Sequence, residues 1–75
     1  MALVRSAREL GEVVRARRKE KGLTQTQVAE LTGTSLRFVT ELERGLRTQA
    51  SLSKVLTVCN RLALDVVVQA RENTR

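Results

Sequence analysis

The chain reads as a mostly α-helical domain of four to five helices followed by one β-strand, and three observations carry that reading. Apolar residues recur at helical spacing between Ala7 and Leu62, a Ser or Thr stands where each helical stretch would begin, and the pattern changes to alternation from Leu64 to Ala70. No proline interrupts any of these stretches.

Taken in order, Ser6 and Glu9 have the spacing of a capping box, and Ala7, Leu10, Val14 and Arg18 form one stripe until Gly22 closes the segment. This predicts a first helix over roughly Ala7 to Lys21. Gly11 inside it costs about 1 kcal/mol relative to Ala, so a close packing contact or a frayed first turn is expected there. Thr24 and Gln27 make a second capping box, Gly33 supplies the left-handed residue that ends the second helix, and Ser35 opens a third. Val28, Val39 and Leu42 are spaced to be buried together, with Ala29 small enough for a close crossing. Leu23 to Gly45 is thus two capped amphipathic helices joined by a turn, a helix-turn-helix, and duplex DNA is its leading ligand. The outward side of the third helix carries Leu36, Arg37, Thr40, Glu41 and Arg44, side chains able to meet base edges and phosphates. After a loop, Ser51 caps a fourth helix expected to turn Leu52, Val55, Leu56, Cys59 and Leu62 inward.

From Leu64 the residues Leu64, Val66, Val68 and Ala70 alternate with Asp65, Val67 and Gln69, and the valine run is β-branched. This reads as a strand over Leu64 to Ala70. A lone strand in a helical chain has no partner inside its own subunit and would leave an exposed edge. Pairing with the same strand of a second copy about a two-fold axis resolves this, with Leu64, Val66, Val67 and Val68 in the dimer strand. The expected organisation is a DNA-binding domain over 1–63, a dimerisation strand over 64–70 and a mobile polar tail over 71–75.

Composition narrows the function classes. At 75 residues the chain is one domain with a small core, which a partner subunit would help to stabilise. Fourteen Lys and Arg against eight Asp and Glu give a formal charge of +6 and a sequence pI near 11.1, a field that draws polyanions. One Phe and no Trp or Tyr leave a membrane-surface helix without bulky anchors and single-stranded nucleic acid without a stacking platform. Double-stranded DNA is favoured over both. A single Cys and no His make neither a disulfide within the chain nor a zinc-ligand cluster, so no metal and no cofactor are expected. No Gly-rich phosphate loop or polar catalytic constellation is found, and an enzyme is not expected. The first residues lack the apolar stretch of a secretion signal and no segment approaches transmembrane length, so a cytoplasmic protein without membrane association is expected.

The segment Arg15 to Gly45 resembles the XRE-type helix-turn-helix domain of lambdoid-phage repressors through Arg18, Gly22-Leu23-Thr24-Gln25, Val28-Ala29, Gly33, Val39 and Leu42-Glu43-Arg44-Gly45. Ala50-Ser51-Leu52-Ser53-Lys54-Val55-Leu56, followed by the strand, is similar to the HipB-type antitoxins, small dimeric XRE proteins whose C-terminal strands pair between subunits. The resemblance implies a repressor of its own operon and a HipA-type serine/threonine kinase toxin as partner. It also implies that Gln25 anchors to a phosphate oxygen while packing on the third helix, and that Arg18 and Glu43 form a buried ion pair. Arg18 falls on the apolar stripe of its helix, where an unpaired guanidinium would be costly, which supports the pair independently. Leu36, Arg37 and Glu41 match base-reading positions with Thr40 at their margin, while Ser35, Arg44 and Arg47 are expected at phosphates. The phage repressors often place Gln at the base-reading sites, whereas Leu36 offers only apolar contact.

Individual residues keep two readings. Arg37 can bond two acceptors of a guanine or lie along phosphate; Glu41 can accept from a cytosine amine or pair with Arg37 or Arg44 on the surface, and the surface pair is preferred. Phe38 and Cys59 read as packing residues. At the level of function, the alternative to an antitoxin is a free-standing phage-like or restriction-modification controller with no toxin partner. In either case a dimer would present two third helices about 34 Å apart to successive major grooves of a pseudo-palindromic operator.

Overall fold

The computed structural model describes residues 2–71, and four helices follow one another: α1 (Ala7–Glu20), α2 (Gln25–Thr32), α3 (Leu36–Glu43) and α4 (Leu52–Arg61). Each begins at the expected cap. The side-chain oxygens of Ser6, Thr24, Ser35 and Ser51 accept from the backbone N–H groups of Glu9, Gln27, Phe38 and Lys54. At α2 the box closes in both directions, because the Gln27 Oε1 accepts from the Thr24 N–H at 2.8 Å. At α1 the return bond shifts upstream by one residue. The Glu9 carboxylate takes the N–H of Arg5 at 2.6 Å instead of that of Ser6.

The four helices also end alike. The N–H groups of Leu23, Thr34, Leu46 and Leu64 reach back five residues to the carbonyls of Arg18, Ala29, Glu41 and Cys59, at 2.8–3.1 Å. That closure puts the preceding residue in the left-handed region, where Gly22, Gly33 and Gly45 carry no Cβ penalty and Ala63, at φ 57°, does.

The core gathers Val14 from α1, Val28 and Ala29 from α2, Phe38, Val39 and Leu42 from α3, and Val58 with Leu62 from the end of α4. Helix α3 is central, packed on both α1 and α2, while α4 lies against α2. Gly11 answers the question its position raises, and the answer is packing. A Cβ there would stand 2.4 Å from the Leu42 carbonyl oxygen and 2.6 Å from that of Glu43, so the absence of a side chain is what lets the end of α3 lie on α1.

The inward face of α4 needs correcting at two positions. Leu52 is 70% exposed and Leu56 is exposed too, whereas Val58, absent from the expected set, is fully buried. An α-helix of this composition carries two apolar ridges. Val55, Val58, Cys59 and Leu62, at the i, i+3, i+4, i+7 spacing, lie toward the core, and Leu52 with Leu56 forms a second ridge that stays outside. Burial pushes the Cys59 thiol above its ordinary pKa, as fits a small packed hydrophobe.

No strand forms among the described residues, and 64–71 run without regular secondary structure. A strand needs a partner for its ladder, and among the described residues no second strand is present to provide one. Leu64 packs partly against the core, and Val66, Val67 and Val68 are exposed. Of the expected mobile tail, residues 72–75 lie outside the described residues.

Candidate nucleic-acid interface

The residues predicted for DNA contact lie at the start of α2 (Gln25), along α3 and at its caps (Ser35, Leu36, Arg37, Thr40, Glu41, Arg44) and in the loop after it (Arg47). Helix α3 has two faces. Val39, Leu42 and Glu43 are buried, while Leu36 and Arg37, in its first turn, and Arg44, its C-cap, are exposed. An open concavity of about 610 Å³ lies between the end of α1 and the starts of α2 and α3, with Arg15, Gln25, Thr26 and Leu36 among its lining residues.

A chain of polar contacts ties this surface to the interior. Arg18 and Glu43 meet through two bonds, Nε to Oε2 at 2.6 Å and Nη2 to Oε1 at 3.0 Å, with side-chain exposures of 10% and 1%. The third donor of Arg18, Nη1, reaches the Leu23 carbonyl at 2.8 Å. Such a forked, multiply bonded geometry is what a buried ion pair needs to offset its desolvation. The Gln25 Nε2 then donates to the Glu43 Oε1 at 3.0 Å and its Oε1 accepts from the Thr40 hydroxyl at 3.1 Å. The first residue of α2 is thereby fastened to α3 from both ends of its amide, and one Nε2–H remains for an outside acceptor. Thr40 is half-buried by the same bond, and Ser35 is occupied as the α3 cap.

A second group lies on the outward side of α3. The Arg37 Nε donates to the Glu41 Oε2 at 2.9 Å, and the other carboxylate oxygen lies 3.1 Å from the Arg47 Nε. That second contact is an ion pair without a hydrogen bond, and among the described residues the buried Arg47 Nε has no hydrogen-bond partner. The hydrogen bond from Arg37 is the main reason the Glu41 carboxyl is held below its ordinary pKa, with the charges of Arg37, Arg47 and Arg44 adding to it, and the same bond raises Arg37. The Arg47 guanidinium also sits over the ring of buried Phe38, 5.0 Å from its centroid, with the Lys54 Nζ at 5.9 Å. The surface pair foreseen for Glu41 therefore has Arg37 as one partner, while Arg47 takes the place suggested for Arg44.

Sequence reasoning did not anticipate the stack of Arg47 on Phe38, nor two bonds made by arginines to backbone. Arg17 donates to the Leu62 carbonyl at 2.9 Å and Arg61 to the Leu31 carbonyl at 3.1 Å, tying the end of α4 to α1 and to α2. A lone aromatic followed nine residues later by Arg has no local signature, because the loop after α3 brings them together. Among the described residues no cluster of His, Cys, Asp and Glu is arranged to hold a metal ion, and no helix is long and apolar enough to cross a membrane.

Comparison with known proteins agrees with this geometry. Residues 14–68 match the helix-turn-helix family. The uncharacterized HTH-type transcriptional regulator y4mF of Sinorhizobium fredii is 36% identical over 67 residues, which span 89% of this chain and 87% of that protein. Among solved structures, the restriction-modification controller protein C.AhdI from Aeromonas hydrophila superposes with a TM-score of 0.72 at 32% identity, covering 79% of this chain and 88% of that one. HipB in the HipA–HipB–O2–O3 complex gives a TM-score of 0.83 over 96% of this chain and all of that chain, at 17% identity, a likeness of fold.

Proposed function

The chain belongs to the XRE-type helix-turn-helix family of DNA-binding transcriptional regulators, and from that premise we propose that it is a sequence-specific repressor that binds a pseudo-palindromic operator as a homodimer. One observation carries the reading: the first turn of α3 presents Leu36 and Arg37 outward while its opposite face is locked to α1 and α2 by Val39, Leu42 and the Arg18–Glu43 pair. A rigidly held helix with exposed N-terminal side chains suits entry into a major groove. Leu36, Arg37, Thr40 and Glu41 lie where base edges pass, and Gln25, Ser35, Arg44 and Arg47 flank them for phosphates. The segment 64–70 pairs with its counterpart in a second subunit, which sets the half-site spacing and supplies the ladder that a single chain lacks. One subunit alone buries too little surface to be selective at cellular salt.

The finer role proposed is that of an autoregulating cytoplasmic antitoxin with a HipA-type kinase as partner. The fold likeness to HipB runs through nearly the whole chain, including the segment after α4, and supports this reading. The 32% identity to C.AhdI supports the second reading, a free-standing controller without a toxin. Affinity purification from the native host separates them: a co-purifying kinase supports the antitoxin, and DNA alone supports the controller. For the DNA activity itself, selection from a random duplex pool followed by gel-shift titration at several salt concentrations is the test. Arg37→Ala is expected to relax preference at one position of each half-site, and Arg44→Ala to weaken all sequences alike and lower the salt slope by about one. Sequence-independent binding by the unaltered protein would refute the repressor.

A further inference from the structure

Resting on the reading of α3 as the base-reading helix, we propose that Glu41 is a positioning residue, holding Arg37 by its Nε so that the two terminal guanidinium nitrogens form a preset fork for a guanine edge. Three observations carry this. The Glu41 carboxylate lies between two guanidinium groups, one oxygen accepting from the Arg37 Nε at 2.9 Å and the other paired in charge with Arg47 at 3.1 Å, and its side chain is only 26% exposed. The Arg37 side chain is 82% exposed, and among the described residues its Nη1 and Nη2 make no hydrogen bond. Arg47, in turn, is set on the ring of buried Phe38 at 5.0 Å. A line of contacts thus runs from the core through Phe38, Arg47 and Glu41 to Arg37.

The pair has the weaker of the two i, i+4 orders for helix stability. An i, i+4 pair placed for helix stability puts the acid N-terminal to the base, and a cation in the first turn opposes the helix dipole. Here Arg37 is in the first turn of α3 and Glu41 follows it. What the order does provide is a long side chain already ordered before DNA arrives, with two parallel donors left for the O6 and N7 acceptors of a guanine. An acidic side chain on a surface that faces phosphates weakens general attraction to DNA, so Glu41 exchanges non-specific affinity for discrimination.

This trade gives the test opposite signs. Using the consensus duplex selected by the unaltered protein and variants changed at each base pair, dissociation constants are measured for Arg37→Ala, Glu41→Ala, Glu41→Gln and Arg47→Ala, with melting curves to confirm folding. Arg37→Ala is expected to erase a preference of about 5- to 150-fold for guanine at one position per half-site. Glu41→Ala should lower the preference at that same position by about 3- to 10-fold while tightening binding to the changed duplex. Glu41→Gln, which keeps an acceptor, should retain part of the preference, and Arg47→Ala should cause a smaller loss at the same position. If Glu41→Ala acts at a different base pair, Glu41 reads a base itself and the inference is wrong. An unchanged preference in Glu41→Ala, or one that survives Arg37→Ala, overturns it as well. These results leave the repressor standing, whereas the absence of any preference in the unaltered protein refutes both.

Discussion

Up to Gly45 the interior side chains Val14, Val28, Phe38, Val39 and Leu42 are buried against one another, and three helices end on glycines; beyond it Leu52, Val66, Val67 and Val68 stand 56–93% exposed and α4 ends on Ala63 in the left-handed region. The first region supplies most of the core, which Val58 and Leu62 of α4 complete within the same chain. Its exposed apolar residues are Leu36, which lies where a ligand is expected, Leu31, which stands singly, and Leu3 and Val4 ahead of α1. The second region carries a ridge on α4 and a β-branched segment that a single chain leaves uncovered. The helix-turn-helix unit and the inner face of α4 share one core within a single chain, whereas the outer ridge of α4 and the valines after it are left uncovered, and the cover proposed for them is a second copy of the chain.

The largest effect of a single change is expected at the buried pair, which joins α1 to α3. Glu43→Ala removes the acceptor of Arg18 and Gln25 together and leaves a guanidinium buried without its partner. A loss of about 3–5 kcal/mol is expected, much of it recovered when Arg18 and Glu43 are replaced together by apolar residues. Thermal melts of the single and paired variants decide it, and a nearly silent single change would mean the pair does not fasten α1 to α3.

Gly11→Ala acts on the same junction through volume alone. The added methyl would meet the Leu42 and Glu43 carbonyl oxygens, which belong to backbone and cannot rotate aside, so about 3 kcal/mol is expected, the upper end of overpacking costs. A chemical-denaturation curve measures it, and a stability within a few tenths of the original would show that α1 and α3 are free to separate.

The smallest effect sharpens the second region. Ala63→Gly relieves the left-handed penalty at the end of α4 and should stabilise the chain by about 1 kcal/mol, the reverse of what Gly→Ala would do at Gly33. If the change is instead neutral or harmful, the backbone at Ala63 is not held at positive φ in solution, and the path of the chain into 64–71 differs.

What could be read from sequence followed the reach of the interactions. Ser6, Thr24, Ser35 and Ser51 act within three residues, and Gly33 within five, so caps and ends were legible. Arg18 stood out because a charge on an apolar stripe demands a partner. The choice between the two ridges of α4 was not legible, since it depends on where α2 lies, and neither was Arg47 over Phe38, which depends on the course of a loop. The strand pattern of Leu64 to Ala70 is plain in the sequence, yet pairing is a property of two chains.

Whether the segment after α4 joins two four-helix units into one DNA-binding dimer is decided by sedimentation of the full chain and of a chain ending at Ala63, each alone and with half-site and palindromic duplexes. A dimer that strongly prefers the palindrome is expected for the full chain, and for the shortened one a monomer that binds the palindrome little better than the half-site. Val67→Pro should mimic the shortened chain if that N–H donates to the ladder. A shortened chain that remains a tight dimer would contradict the account and move the interface to the helices.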